Sequence, residues 1–273
     1  MTLTDDLGRR LTLPRPARRI VSLSPVTTEN LFAIGAEKLI VGVTSACDFP
    51  EEAKKLPRIG DFTRPSYERL LALKPDLIVF DSTTVKLADV ESFAARVKIP
   101  IFVQCSRNVQ DVPRHLEALG QLAGKPATAL AAQVRRALRL PLRSNLIPVF
   151  VQISASPLYA VGPGSFVDEL ISLAGGQNVV REGGEFPQLT KEKLLTLRPQ
   201  VYVIATNPGQ PETPPALSNV RVVRIPADLL FRATPRLATG LRMLMTAFRM
   251  GDSPTGPFMR PSVNRPEPVV FRR

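Results

Sequence analysis

The sequence has no tryptophan, three tyrosines, two cysteines and one histidine in 273 residues. Each shortage excludes something. Cys47 and Cys105 make neither a CxxC pair nor a disulfide framework. Both lie in or beside apolar stretches, which suits buried free thiols. His115, in a polar helical stretch, has no neighbouring ligands, so it makes a poor metal site, and a lone histidine excludes mechanisms that need two. No apolar run reaches the roughly 18 residues of a membrane-spanning helix. No GxGxxG follows the first strand, and GxxxxGK[ST] and GxSxG are absent. Ser24 has no histidine near it to activate a nucleophile. GPGSF (162–166) reads as a helix-entry turn rather than a phosphate cradle.

What is present is basic. Lys and Arg number 36 against 24 acidic residues, for a net charge of +12. The charge is scattered, with no block beyond pairs such as Arg18-Arg19, so a nucleic-acid partner is not expected. Hydrophobic content of 44% and charged content of 22% fit an ordinary globular chain. Its length allows one large domain or two of usual size. The N-terminus, MTLTDDLGRRLTLPRP, is polar and lacks the apolar core of a secretory signal. The expectation is a cytoplasmic chain, or one whose leader has been lost.

Strand and helix patterns alternate. Residues 1–17 read as a hairpin or arm. RIVSLSP (19–25) is a buried-strand pattern, followed by a helix capped by Thr27 or Thr28 and closed by Gly35. KLIVGVT (38–44) is a strand, and 47–65 a long loop rich in Pro and charge. A helix at Glu68, a strand DLIVF, a helix over 88–97, a strand IPIFVQ and a helix over 110–122 follow. Residues 126–142, rich in Ala, Leu and Arg, predict one long helix with Pro126 near its first turn. The pattern then restarts with strand PVFVQIS (148–154) and helix GSFVDELISLAGG (164–176). The Glu192 helix, strands QVYVI and VRVVRIP, and a helix near 234–249 complete it. Such alternation predicts mainly parallel sheets. Residues 251–273 hold five prolines and read as a loose tail.

The restart is a repeat. ERLLALKPDLIVF from Glu68 aligns without a gap on EKLLTLRPQVYVI from Glu192, an offset of 124. Glu29 to Gly35 matches Glu169 to Gly175 at an offset of 140, so the first half holds 16 more residues between its motifs. The chain thus predicts an N-terminal α/β lobe (18–124), a bridging helix (125–145), a C-terminal α/β lobe (146–250) and the tail (251–273). Ligands of such folds lie outside the carboxyl ends of the strands. Residues there include Ser24, Pro25, Phe49, Asp81, Ser106, Tyr159, Asn207, Asp228 and Arg232, with Phe62 and Phe186 on the loops before the two Glu helices. Few are catalytic types. Flat apolar and hydrogen-bonding side chains suit holding a molecule rather than transforming it.

These motifs resemble the metal-chelate class of substrate-binding proteins of ABC importers, which serve siderophores, haem and cobalamin. The resemblance rests on RRIVSLSPVTTENLFAIGA, VGVTSACDFP, LKPDLIVF, GPGSFVDELISLAGGQNVV, FPQLTKEKLLTLRP and DLLFRATPR, and spans about residues 18–249. It is strongest toward the cobalamin-binding members. It implies two Rossmann-like lobes bridged by a rigid helix, a monomer, no catalysis and no resident cofactor. Cobalamin or an iron chelate would lie between the lobes. Phe62 and Phe186 fall where such proteins stack rings on the corrin, and Asp228 and Arg232 where they make polar contacts. Ser24, Pro25, Phe49 and Tyr159 complete the expected ligand set. Glu68 and Glu192 fall where one glutamate per lobe meets arginines of the permease dimer. A periplasmic or cell-surface location is implied, against the cytoplasmic alternative. Ala46 and Asp81 stand where cobalamin-binding members carry rings, so stacking area is reduced. Arg64, Arg232 and the net charge leave a ferric siderophore as the alternative ligand, and an intracellular corrinoid-binding protein as the alternative role. A haem ligand would have to come from Tyr67 or Tyr159.

Overall fold

The computed structural model describes residues 1–61, 65–139, 146–207 and 219–249. The chain opens with an antiparallel hairpin, β1 (Thr2–Thr4) and β2 (Arg10–Thr12). The Asp5 carboxylate accepts from the backbone N–H of Leu7 and Arg9 at 3.1 and 2.9 Å, which fixes the turn between them.

The N-terminal lobe holds β3 (Ile20–Ser22), β4 (Ile40–Val43), β5 (Leu77–Asp81) and β6 (Ile101–Gln104). They form a parallel sheet in the order β4-β3-β5-β6. Its helices are α1 (Pro25–Ala33), α2 (Tyr67–Ala72), α3 (Leu87–Val97) and α4 (Asp111–Ala123). After α5 (Thr128–Ala137) comes the C-terminal sheet. It contains β7 (Ile147–Ala155), β8 (Leu158–Ala160), β9 (Gly176–Asn178), β10 (Val201–Thr206) and β11 (Arg221–Pro226). Here β9, β7, β10 and β11 are parallel in that order, and β8 folds back antiparallel on β7. Helices α6 (Phe166–Ala174), α7 (Lys191–Leu197), α8 (Asp228–Phe231) and α9 (Leu237–Arg249) complete the lobe.

The repeat is therefore structural. β5 and β10 both begin at the residue two after the helix-stopping proline, Leu77 after Pro75 and Val201 after Pro199. Each is the third strand of its parallel order. Lys74 and Arg198, just before those prolines, take left-handed φ values of 45° and 47°. The αR region is disfavoured ahead of proline, so the helix ends there in both lobes. Both third strands are buried on two faces, as parallel strands are. Leu77 and Val79 join the main core while Ile78 and Phe80 face the outer one. Val201 and Val203 likewise join the main core, with Tyr202 and Ile204 outside it. The main core is continuous through both lobes, including Leu31, Leu116, Leu170 and Leu241.

Two local expectations change. Ser24, not Thr27 or Thr28, caps α1: it is extended (φ −138°, ψ 152°) and its side chain accepts from the Thr27 N–H. Pro25 then takes the first helical position, where its missing N–H costs nothing. The bridging helix expected over 125–145 is helical over Thr128–Ala137, ten residues or about 15 Å. Pro126 lies ahead of it, in the turn that follows α4. Gly124 is left-handed there (φ +63°), and Lys125 N–H bonds back to the Gly120 carbonyl. A side chain on Gly120 would meet Ala127 Cβ at 2.6 Å, so the glycine lets α4 and α5 pack closely. Residues 140–145 and the tail 251–273 lie outside the described residues.

Candidate functional site

Helix α1 brings Glu29 and Asn30 to the other lobe, while Thr27 and Thr28 bond within their own. Glu29 is 4% exposed, yet both its oxygens are engaged. Oε1 accepts from Arg232 Nη1 at 2.6 Å and Oε2 from Arg236 Nη1 at 3.2 Å. Arg232 Nη1 also lies 2.7 Å from Asp48 Oδ1, and Arg236 donates to Asp228. The Arg236 guanidinium sits 3.7 Å over the centre of the Phe49 ring, a cation–π contact. The neighbouring Asn30 donates to the Ala233 carbonyl at 3.3 Å. Two guanidinium groups thus face three carboxylates at one corner between the lobes, beside an aromatic ring.

Burial pushes the Glu29 carboxyl above its ordinary range, against the pull of Arg232 and Arg236. Burial also opposes charge on Arg232, but its bonds to Asp48 and Glu29 outweigh this and raise it. Both Glu29 oxygens accept from a guanidinium, the arrangement of charge-assisted hydrogen bonds.

Of the expected ligand residues, the structure gathers Phe49, Asp228 and Arg232 in this one cluster. Phe186, 45% exposed, meets Phe231 edge-on with centroids 6.5 Å apart, and Phe231 immediately precedes Arg232. Tyr159 is bridged to Gln188 on the segment that carries Phe186. Ser24 is committed elsewhere: besides its cap, its hydroxyl accepts from the Asp81 N–H at 3.1 Å. Pro25 opens the helix that carries Glu29. Phe62 and Arg64 lie outside the described residues. Glu68 and Glu192 are exposed in the first turns of α2 and α7, behind the hydroxyl caps Ser66 and Thr190. Asp48 and Arg236 carry no signal in sequence, Glu29 stands there only as the start of a repeated motif, and Phe231 only within the loop stretch 228–232. The available signal was a glutamate inside the apolar run ENLFAIGA.

Asp81 does not line the cleft as a free carboxylate. Its side chain is 10% exposed and accepts from Ser106 Oγ at 2.6 Å. Behind it His115 is buried rather than solvated. His115 Nε2 lies 2.7 Å from Asp6 Oδ2 and Nδ1 lies 3.8 Å from Asp81 Oδ2. Arg114 binds Asp6 and, at 2.7 Å, Asp111. The lone histidine thus ties the N-terminal hairpin to the lobe. Burial, with help from the charges of Asp6 and Asp111, pushes the Asp81 carboxyl up to about 6 despite Ser106 and His115. The folded value lies above the unfolded one. The resulting stabilisation is full below about pH 4 and is lost as pH rises through 6. Asp81→Asn is expected to remove that loss and to stabilise the protein at pH 8 by about 2–3 kcal/mol. Urea unfolding at pH 4 and pH 8 tests it; an unchanged pH slope would refute the assignment. Cys47 and Cys105 are buried free thiols. Burial, then Asp6, pushes the Cys105 thiol up to about 11, so it stays protonated and inert.

Two α/β lobes with matching parallel sheets meet at one seam, where each contributes rings and charges. Residues 20–227 match the periplasmic binding protein family. The chain belongs to that family, in its metal-chelate substrate-binding class. A vitamin B12-binding protein of Yersinia pseudotuberculosis is 32% identical over 257 residues, covering 90% of this chain and 91% of the relative. The structure of a periplasmic vitamin B12 binding protein of Vibrio cholerae matches with a TM-score of 0.73 and 26% identity, over 87% of this chain and 98% of that one. A periplasmic heme binding protein of Pseudomonas aeruginosa has the same fold, with a TM-score of 0.74 at 22% identity over 88% and 95%. The family is one of transport binding proteins, not of enzymes. Among the described residues no helix is long and apolar enough to cross a membrane.

Proposed function

We propose that this chain captures a corrinoid, cobalamin first, between its lobes and delivers it to a two-fold ABC permease. It acts as a monomer on the periplasmic or outer face of the membrane and leaves its cargo chemically unchanged. The observation that carries the ligand class is the charge balance at the seam. Arg232 and Arg236 are already matched by Glu29, Asp48 and Asp228. An anionic chelate, such as a carboxylate siderophore or haem propionates, needs cations that are not so matched. A ligand rimmed with neutral amides needs acceptors, and the half-exposed Asp48 carboxylate and Asp228 supply them. Phe49 and Phe186, 40% and 45% exposed, offer flat apolar faces to a macrocycle. The vitamin B12-binding relatives support the same reading.

Calorimetric titration with cyanocobalamin tests it, since the absence of tryptophan weakens intrinsic fluorescence as a probe. One-to-one binding below micromolar is expected. No heat with cyanocobalamin, followed by tight binding of a ferric siderophore in the same cell, would replace the corrinoid with the anionic chelate. Phe49→Ala and Phe186→Ala are each expected to weaken binding by about 1–3 kcal/mol. Unchanged affinity in both would place the ligand elsewhere.

A further inference from the structure

The repeated helices carry more than a glutamate. From Glu68 to Pro75 and from Glu192 to Pro199, the pattern of exposed, intermediate and buried residues is identical at all eight positions. Leu70 and Leu194 are buried at 0% and 1% and anchor their helices. The next residues, Leu71 and Leu195, do not: they are 47% and 58% exposed. Each is three residues after its glutamate, so acid and leucine are neighbours on one helix face. Single exposed leucines need no explanation. Two at equivalent positions of two lobes, each beside an equivalent acid, form a surface repeated twice within one chain. Its helix ends are also alike, with Lys74 and Arg198 in matching left-handed turns.

We infer that Leu71 and Leu195 form the apolar half of a two-point docking surface for the permease dimer. This rests on the delivery role proposed above. A partner built of two identical subunits presents one site twice, and each lobe fits one copy. The acids fit a basic side chain on each subunit, and the leucines fit an apolar pocket beside it. In water the leucines cost little on a monomer; on the partner they leave solvent and slow dissociation.

The test uses the full chain and the vitamin B12 ABC permease from the same genome, held in lipid nanodiscs. Affinity is read by biolayer interferometry, with cyanocobalamin binding measured in parallel. Leu71→Asn and Leu195→Asn should each weaken docking about tenfold, and together about a hundredfold, with ligand affinity unchanged. Leu71→Met with Leu195→Met should restore docking to within about threefold. If the double Asn variant docks like the parent while Glu68→Ala with Glu192→Ala does not, the apolar role is wrong and the docking role stands. If neither pair changes docking, both are wrong.

Discussion

Uptake through the permease is expected to fall about a hundredfold or more when Glu68 and Glu192 are both changed to alanine, while ligand affinity in solution is unchanged. The size follows from the partner. An interfacial charge left without its counterpart typically costs about 2–5 kcal/mol, and two such losses compound. The specificity follows from position. Both acids are exposed, in first turns capped by Ser66 and Thr190 rather than by the acids themselves. The caps and the buried Leu70 and Leu194 remain, so both helices should persist. Each single variant should lose part of the transport, because in the proposed docking each lobe meets one subunit. Uptake of labelled cyanocobalamin into proteoliposomes, with calorimetry on the same preparations, reads both quantities. Loss of ligand binding in the double variant would show that the glutamates serve the fold or the cleft instead.

The second large effect is on stability. Glu29→Ala should destabilise the protein by about 3–5 kcal/mol, the usual result of removing one partner from a buried ion cluster. Arg232 and Arg236, 20% and 26% exposed, would lose their shared counter-charge. Asp48 and Asp228 would remain, but each reaches only one of the two arginines. The same change should alter selectivity. It turns three carboxylates against two guanidinium groups into two against two, so binding of an anionic chelate should rise relative to cyanocobalamin. Chemical denaturation gives the first quantity and paired titrations the second. A stability change below about 1 kcal/mol would mean that the arginines find water or new partners, and that the cluster does not hold the seam.

Much of this molecule can be read along the chain. Leu77 to Phe80 and Val201 to Ile204 predict buried strands, because uninterrupted apolar runs suit sheets covered on both faces. The helix before each strand is legible from its proline, and the doubling of the lobe from the aligned Glu68 and Glu192 stretches. Less visible were β8 and β9, three residues each, which exist only because β7 is long enough to pair with both. α5 starts at Thr128, two residues later than expected, because Pro126 is also compatible with a first turn. The close approach of Gly120 to Ala127 decides instead for a turn, and that contact has no local signature.

By itself the sequence determined the α/β class, the two lobes and their order, because the hydrophobic period and the helix breakers act over a few residues. It also determined which acids repeat. Tertiary structure alone decided what the charges do. Glu29 and Arg232 are 203 positions apart, and nothing near either one names the other. His115 stands in a polar helical stretch of sequence, and only the fold buries it against Asp6, 109 positions away. Charge pairing depends on which loops the two lobes bring together, and burial turns an ordinary carboxylate such as Asp81 into one that holds its proton near pH 6.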